Sequence, residues 1–419
     1  MDARAIAIAI PFFLVLIGVE ILVDRARVKR GLAPLYRFAD AITSLSCGVG
    51  QQVLGVLVLG AIGVAAYAGL YAHARLFDLP AGSPLVWALA FVLTDLGYYA
   101  YHRASHRVNF FWATHVVHHS SEEYNLSTAL RQSWFTTITS WLFYVPLALI
   151  GVPPIVFALC TTLNTLYQFW IHTRAVGKLG WFERVFNTPS HHRVHHAIDP
   201  EYIDKNYAGV FIVWDKLFGS FIEERNEPAY GTVKPLESFD PVWANFEGFA
   251  KLWQMSRATK KLGDKLLVWV MPPEWRPADL GGVVTIPPVP ANRRKYDVPT
   301  TRALEIYVAS QFLVAVGVVF VMLWFKAELG LAERATLAGL TLWALYGWGA
   351  LFERRRHAVA LELARLVATA AGLSWIASTS SYAAQAAVGS VLLSLLSGLL
   401  LARGRKLPEG ELAEPTAAE

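Results

Sequence analysis

Charge is scarce in this chain. Only 16% of its 419 residues are Asp, Glu, Lys or Arg, against about 25% in soluble domains. Hydrophobic residues make up 55% and mean hydropathy is +0.39. Together these exclude a disordered or collagen-like chain and point to a polytopic membrane protein. Cysteine is scarcer still, with only Cys47 and Cys160, both in apolar stretches and with no CxxC pair. That excludes a small disulfide scaffold, an iron–sulfur cluster and a cysteine zinc site, and leaves two inert thiols. No GxGxxG occurs: Gly48-Val-Gly50 lacks the third glycine and lies in an apolar run. A haem-binding His-Pro-Gly-Gly is also missing, so no electron donor is encoded.

Long apolar runs are abundant. A bilayer-spanning helix needs about 20 mostly apolar residues. Nine stretches qualify, near 5–23, 45–70, 84–101, 133–151, 154–172, 303–325, 335–351, 358–377 and 383–402. The first is read as a retained helix, because its basic residues follow the apolar run where a signal peptide has them before it. The expected fold class is therefore all-α, a polytopic membrane protein with about nine transmembrane helices. Net charge is +5, which is read as topology, with no nucleic-acid partner. Three basic clusters stand beside these runs: Arg25, Arg27, Lys29, Arg30 and Arg37; Arg354, Arg355 and Arg356; and Arg403, Arg405 and Lys406. An odd helix count with the amino terminus outside puts all three on the cytoplasmic side. The reading is an integral protein of a bacterial inner membrane.

Two polar segments, 102–132 and 173–301, then fall on the cytoplasmic side. The second is too long for a hairpin, and its aromatics, among them Trp214, Phe218, Trp243 and Trp253, suit helices at the membrane interface. The proline-rich run at 272–291 reads as irregular chain. The expected organisation is a catalytic module over 1–275, a linker over 276–300, a four-helix membrane module over 301–403 and a charged tail over 404–419.

Nine of the twelve histidines fall in two short windows, residues 102–119 and 191–196, a density that chance does not produce. His102 and His106 are four apart, so on a helix they project from one face. His115, His118 and His119 form His-x-x-His-His, and His192, His195 and His196 repeat it. Imidazole suits iron, zinc, copper and nickel. Eight such nitrogens exceed the roughly four to six positions of one ion, so two metals fit the supply. His172 ends the fifth apolar run on the same side and is expected to join them. All these histidines can meet just inside the cytoplasmic boundary. Asp95 lies two helical turns before His102 and is expected to orient a ligand imidazole. His191 is expected either as a further ligand or in the same supporting role, for which Glu122, Glu123 and Asn125 are also candidates.

The motifs His102-Arg-Ala-Ser-His106, His115-Val-Val-His118-His119-Ser-Ser-Glu-Glu-Tyr-Asn125 and Ser190-His-His-Arg-Val-His-His196 resemble the fatty acid hydroxylase / sterol desaturase superfamily. The stretch from Asn206 to Ser220 resembles the segment that follows the last box. The match covers about 90–225. Gln168–Thr173 and the extra carboxy-terminal helices are most similar to alkylglycerol monooxygenases and bacterial relatives. The resemblance implies a membrane-embedded non-haem di-iron oxygenase. Such enzymes use O2 and two electrons to hydroxylate or desaturate a lipid C–H bond. The implied ligands are His102, His106, His115, His118, His119, His192, His195, His196 and His172. The implied partners are a lipid substrate and a separate reductase, ferredoxin or cytochrome donor. Animal alkylglycerol monooxygenases carry an acid directly after the first box, where this chain has Arg107, so a tetrahydropterin cofactor is doubtful on this reading. Ligand type alone leaves two alternatives open: a di-zinc membrane hydrolase or isomerase, and a non-enzymatic metal or electron carrier.

Overall fold

The structure is a computed structural model and describes residues 3–55, 57, 60–378 and 383–404. The tail 405–419, with Arg405 and Lys406 of the last basic cluster, lies outside the described residues. Among the described residues the chain is helical without a strand. The sole sheet-like contacts there are two isolated bridges, Phe186 with Phe211 and Ala197 with Tyr230. The second ties the residue after the third histidine box to the loop at Tyr230.

The first helix is α1 (Ala3–Lys29), followed by α2 (Phe38–Leu54) and α3 (Gly60–Ala74). α2 and α3 lie on the apolar run expected as one helix over 45–70, with α2 starting earlier, at Phe38; residues 56, 58 and 59 between them lie outside the described residues. Next come α4 (Pro84–Arg107) and α5 (Asn109–His119). α4 opens on Pro84, whose missing N–H costs nothing in a first turn. It continues past the expected end at 101 and carries His102 and His106 on its last two turns.

The expected helix over 133–151 is shorter, Thr136–Ile150, and irregular. α6 (Thr136–Ser140) is followed by a 3-10 turn, Trp141–Tyr144, and then by α7 (Val145–Ile150). Pro146 is the cause: it cannot donate to the turn behind it, and its ring clashes with a carbonyl four residues back. Gly151, at φ +104°, then reverses the chain. A Cβ there would stand 1.9 Å from the Phe77 carbonyl oxygen, so only glycine fits. Pro154 opens α8 (Pro154–Trp170), which ends just before His172.

The polar segment folds as short helices: α9 (Pro189–His195), α10 (Val213–Leu217), α11 (Pro241–Ala258) and α12 (Leu262–Val270). Asp240 caps α11 by accepting from the Val242 and Trp243 amides. The last four are α13 (Arg302–Trp324), α14 (Leu331–Phe352), α15 (Ala358–Ala377) and α16 (Ala383–Gly404). Among the described residues, four helices are long and apolar enough to cross a membrane: α1, α13, α14 and α15.

One apolar core joins the two ends of the chain. Ile17 of α1 and Ala39, Ile42 and Leu45 of α2 pack with Tyr307, Phe312, Leu345, Trp348 and Phe352. The carboxy-terminal helices thus rest on the first two. Their polar content is concentrated in one buried knot: Glu362 accepts from the Tyr307 hydroxyl and from Arg365, and Arg365 also donates to Gln311. Residues 281–301 are irregular. They are held to the second histidine box. Arg293 and the Tyr296 amide donate to Glu122, and Lys295 and Arg37 donate to Glu123.

Candidate metal centre

The nine histidines read as ligands meet in two adjacent, buried groups. His102, His106, His115, His119 and His195 form the first, and His118, His172, His192 and His196 form the second. Within each, one nitrogen per residue lies within 4.8 Å of the others. The groups adjoin: the His119 and His196 ring centroids are 4.4 Å apart. Each His-x-x-His-His box is therefore divided between the groups. Helical geometry explains the division. At about 100° per residue, positions i and i+4 lie within 40° of each other, while i+3 falls 60° to the other side. So His115 and His119 face the first group and His118 the second. His192 and His196 face the second and His195 the first.

The tautomers follow from the surroundings. A carbonyl only accepts, so an Nδ1 against a carbonyl carries the proton and leaves Nε2 as a bare lone pair. His102 Nδ1 donates to the Tyr207 carbonyl at 2.7 Å, and His195 Nδ1 to that of Lys205 at 3.0 Å. His118 Nδ1 donates to the Arg131 carbonyl at 3.1 Å, and His172 Nδ1 to that of Gln168 at 2.7 Å. Yet the Nε2 atoms of His118 and His172 face each other at 3.3 Å. Two bare lone pairs at that separation repel unless a cation lies between them. His172 and His192 Nε2 are 3.0 Å apart, as are His102 and His115 Nε2. Nitrogens each about 2.1 Å from one ion would be roughly 3.0–3.4 Å apart. The buried Nε2 atoms of His106, His195 and His196 have no hydrogen-bond partner. The donor set fits metal ions.

Burial keeps these rings neutral. It pushes His118 down to about 4, with the Arg131 carbonyl opposing the shift. His115, His119, His195 and His196 lie well below the ordinary imidazole value, through burial first and neighbouring imidazoles next. A neutral ring is the ligating form.

The supporting residues act less directly than their spacing suggests. Asp95 touches no imidazole. It accepts from Asn164 Nδ2, the Val210 and Phe211 amides and Trp214 Nε1, at 2.6–3.0 Å. It therefore fixes the loop whose Tyr207 carbonyl holds His102. Gly209 permits this approach, since a Cβ there would lie 2.7 Å from the Asp95 carboxylate. His191 is buried outside both groups, its ring edge-on to Phe221. Glu122 and Glu123 hold the 293–296 segment, and Asn125 donates to the Leu35 carbonyl.

Other residues were not anticipated. Glu20 of α1 accepts from Tyr36, Thr173 and the Leu126 amide, bracing the residue next to His172. An acid inside an apolar run was the available signal. Arg131, 1% exposed, donates to the Val117 carbonyl and to Ser120 and Ser44. Tyr124, fully buried, packs its ring against His172 and His196. A cavity of about 570 Å³ reaches His106, His119 and His195, walled by Trp112, Val116 and Ile198.

A sequence model of the fatty acid hydroxylase family matches residues 87–220. The chain is 41% identical over 367 residues to the human alkylglycerol monooxygenase, covering 85% of this chain and 80% of that protein. To the alkylglycerol monooxygenase of Xenopus tropicalis it is 39% identical over 358 residues, 84% of this chain and 78% of the other. The chain belongs to the fatty acid hydroxylase family. A more distant relative, an ornithine lipid hydroxylase of Rhizobium tropici, is 28% identical over 145 residues, 33% of this chain and 44% of the other. No solved structure matches the chain. As a fatty acid hydroxylase family member it is a membrane lipid monooxygenase, an oxygen-dependent oxidoreductase. Eight of the nine histidines come from the three boxes, on α4, α5 and α9 or directly after α9, and His172 follows the end of α8 by two residues.

Proposed function

We propose that this chain is a non-haem di-iron monooxygenase that hydroxylates a C–H bond of a membrane lipid. The names of its full-length relatives suggest an alkylglycerol or similar ether lipid as substrate. The observation that carries the metal reading is the pair His118 and His172, each with Nδ1 committed to a carbonyl and Nε2 aimed at the other. The five-histidine group would hold one iron and the four-histidine group the other. When bound, the iron pair supplies O2 activation and the two-electron oxidation of an unactivated C–H bond.

The chain's own residues do the rest. Neutral, buried imidazoles hold their lone pairs inward. Trp112, Val116 and Ile198 give the cavity an apolar wall beside His106, His119 and His195, against which the apolar part of a lipid can lie. Electrons come from a separate reductase, ferredoxin or cytochrome. The proposed topology has nine spans, the amino terminus outside and the metal centre on the cytoplasmic side, in a bacterial inner membrane. The three basic clusters support that orientation. Residues 301–403 would form a membrane module supporting the catalytic 1–275.

The test is metal analysis of the anaerobically purified full chain, followed by incubation with O2, a reductant and a 1-O-alkylglycerol. About two irons per chain and an O2-dependent hydroxylated product support the reading. Two zinc ions retained after iron-replete expression, with no oxidised product, would replace it with a hydrolytic one.

A further inference from the structure

The five-histidine group draws its support from one short piece of backbone. His102 Nδ1 meets the Tyr207 carbonyl at 2.7 Å and His195 Nδ1 the Lys205 carbonyl at 3.0 Å. His106 Nδ1 lies 3.7 Å from Asp204 Oδ1. Three of the five rings are thus met on their outer nitrogen by residues 204, 205 and 207. The four-histidine group takes nothing from this segment: His118 is held by Arg131 and His172 by Gln168 of its own helix end.

The segment is also strained. Asp204 and Asn206 have φ of +59° and +55°, a left-handed conformation that non-glycine residues keep only where the surroundings over-determine it. They do so here. Asn206, fully buried, donates to the His191 and Ile222 carbonyls and accepts from the Ile222 amide. Asp215 accepts from the Tyr207 and Ala208 amides at 2.8 Å each. Asp204 Oδ2 is taken by Arg107, which also pairs with Glu274 at 3.1 Å. One carboxylate oxygen is therefore committed to Arg107 and the other faces His106. His106, Asp204 and Glu274 all line the 570 Å³ cavity. Arg107, the position at which the first box departs from the animal enzymes, thus belongs to this network.

We infer that residues 204–207 are a positioning strap for the five-histidine group alone, and that Asp204 is the positioning residue that orients His106 and strengthens it as a donor. The inference rests on the reading of the two groups as metal sites. A carboxylate beside the outer nitrogen of a ligand imidazole fixes its tautomer and raises its basicity. Backbone carbonyls do the first of these at His102 and His195. Asp204 stands 3.7 Å from the outer nitrogen of His106, one of three ligands that border the cavity, and is, among the described residues, the one carboxylate placed to act on it. The two metal positions are therefore unequal, and the cavity-side one depends on Asp204.

The test uses the detergent-solubilised full chain, loaded anaerobically with Fe(II) and, in parallel, with Co(II) as a spectroscopic reporter. Wild type is compared with Asp204→Ala and Asp204→Asn. In Asp204→Ala one of the two ions is bound about 10- to 100-fold more weakly, the other is retained, and the retained ion shows that the chain is folded. Asp204→Asn keeps the shape without the charge; it is expected to hold both ions with a displaced Co(II) absorption band. Two ions bound as tightly as in wild type by Asp204→Ala, with an unchanged cobalt spectrum, would reduce Asp204 to a partner of Arg107. Loss of both ions together would make the strap a general folding element. Either result overturns the inference while leaving the metal reading intact. A wild-type chain that binds no ion would overturn both.

Discussion

The two histidine groups are built from the same boxes and yet are unlike. The five-histidine group opens onto a cavity of about 570 Å³ and leans on a strained loop. The four-histidine group is closed by Tyr124, whose ring stacks on Tyr230 at 4.9 Å. Tyr230 is in turn covered by Arg293, which donates to its carbonyl and to Glu122. One group has access and the other has enclosure. The lesson is that a repeated motif does not make equivalent sites. Spacing sets how many imidazoles converge, and the loops packed outside them set what each group can admit.

Removing a ligand is the largest perturbation of this comparison. His195→Ala is expected to cost the cavity-side ion and His192→Ala the enclosed one, each with activity down more than about 100-fold, beyond the range seen for outer-shell changes. Metal analysis beside a product assay checks it. If either variant emptied both groups, the two would be one cooperative unit and the contrast would fail.

Filling the cavity comes next. Val116→Trp puts bulk beside His106 and His119 without touching a ligand. Turnover is expected to fall about 10- to 100-fold through displacement of the substrate, with both ions retained. Unchanged turnover would mean that substrate reaches the metals from elsewhere.

Acid sharpens the contrast through the enclosed group. His118 sits at about 4 in the folded chain against 6.5 when free, because burial penalises its charge. Between those values the unfolded chain binds more protons, so stability rises with pH there. The contribution, about 3 kcal/mol from this ring, is complete above about pH 6.5 and is lost as pH falls toward about 4. Thermal melts of metal-free protein from about pH 7 down to about pH 5 should show a falling midpoint. A flat profile would mean that the ring is hydrated when the metal is absent.

The smallest effect is expected at Arg107→Gln. Its side chain is 42% exposed, so the loss is under about 1 kcal/mol, and both ions are retained. A lost ion would show that Arg107 matters to the strap as much as Asp204 does.

Local chemistry was legible where it depends on short spacings. The clustering of the nine histidines and the helix carrying His102 and His106 could both be read from their neighbours. Asp95 was legible as a buried acid but not as an acceptor for the loop at 210–214, because helical periodicity reports a face and not the segment packed against it. The helix expected over 133–151 is present over Thr136–Ile150 but tightens into a 3-10 turn ahead of Pro146, a residue that cannot donate to the turn behind it. Asp204 carried no signal at all, since its partner His106 lies 98 positions away and its backbone conformation is imposed by Asn206 and Asp215.

By itself the sequence determined the residue types, their helical spacing and hence the supply of imidazoles on shared helix faces. Those follow from one-dimensional order, because a helix converts spacing into direction. Only the tertiary structure decided how each box divides between the groups, which group meets the cavity and which acid stands behind a ligand. These depend on where distant segments pack, and burial there is what makes a lone pair bare and a carboxylate felt.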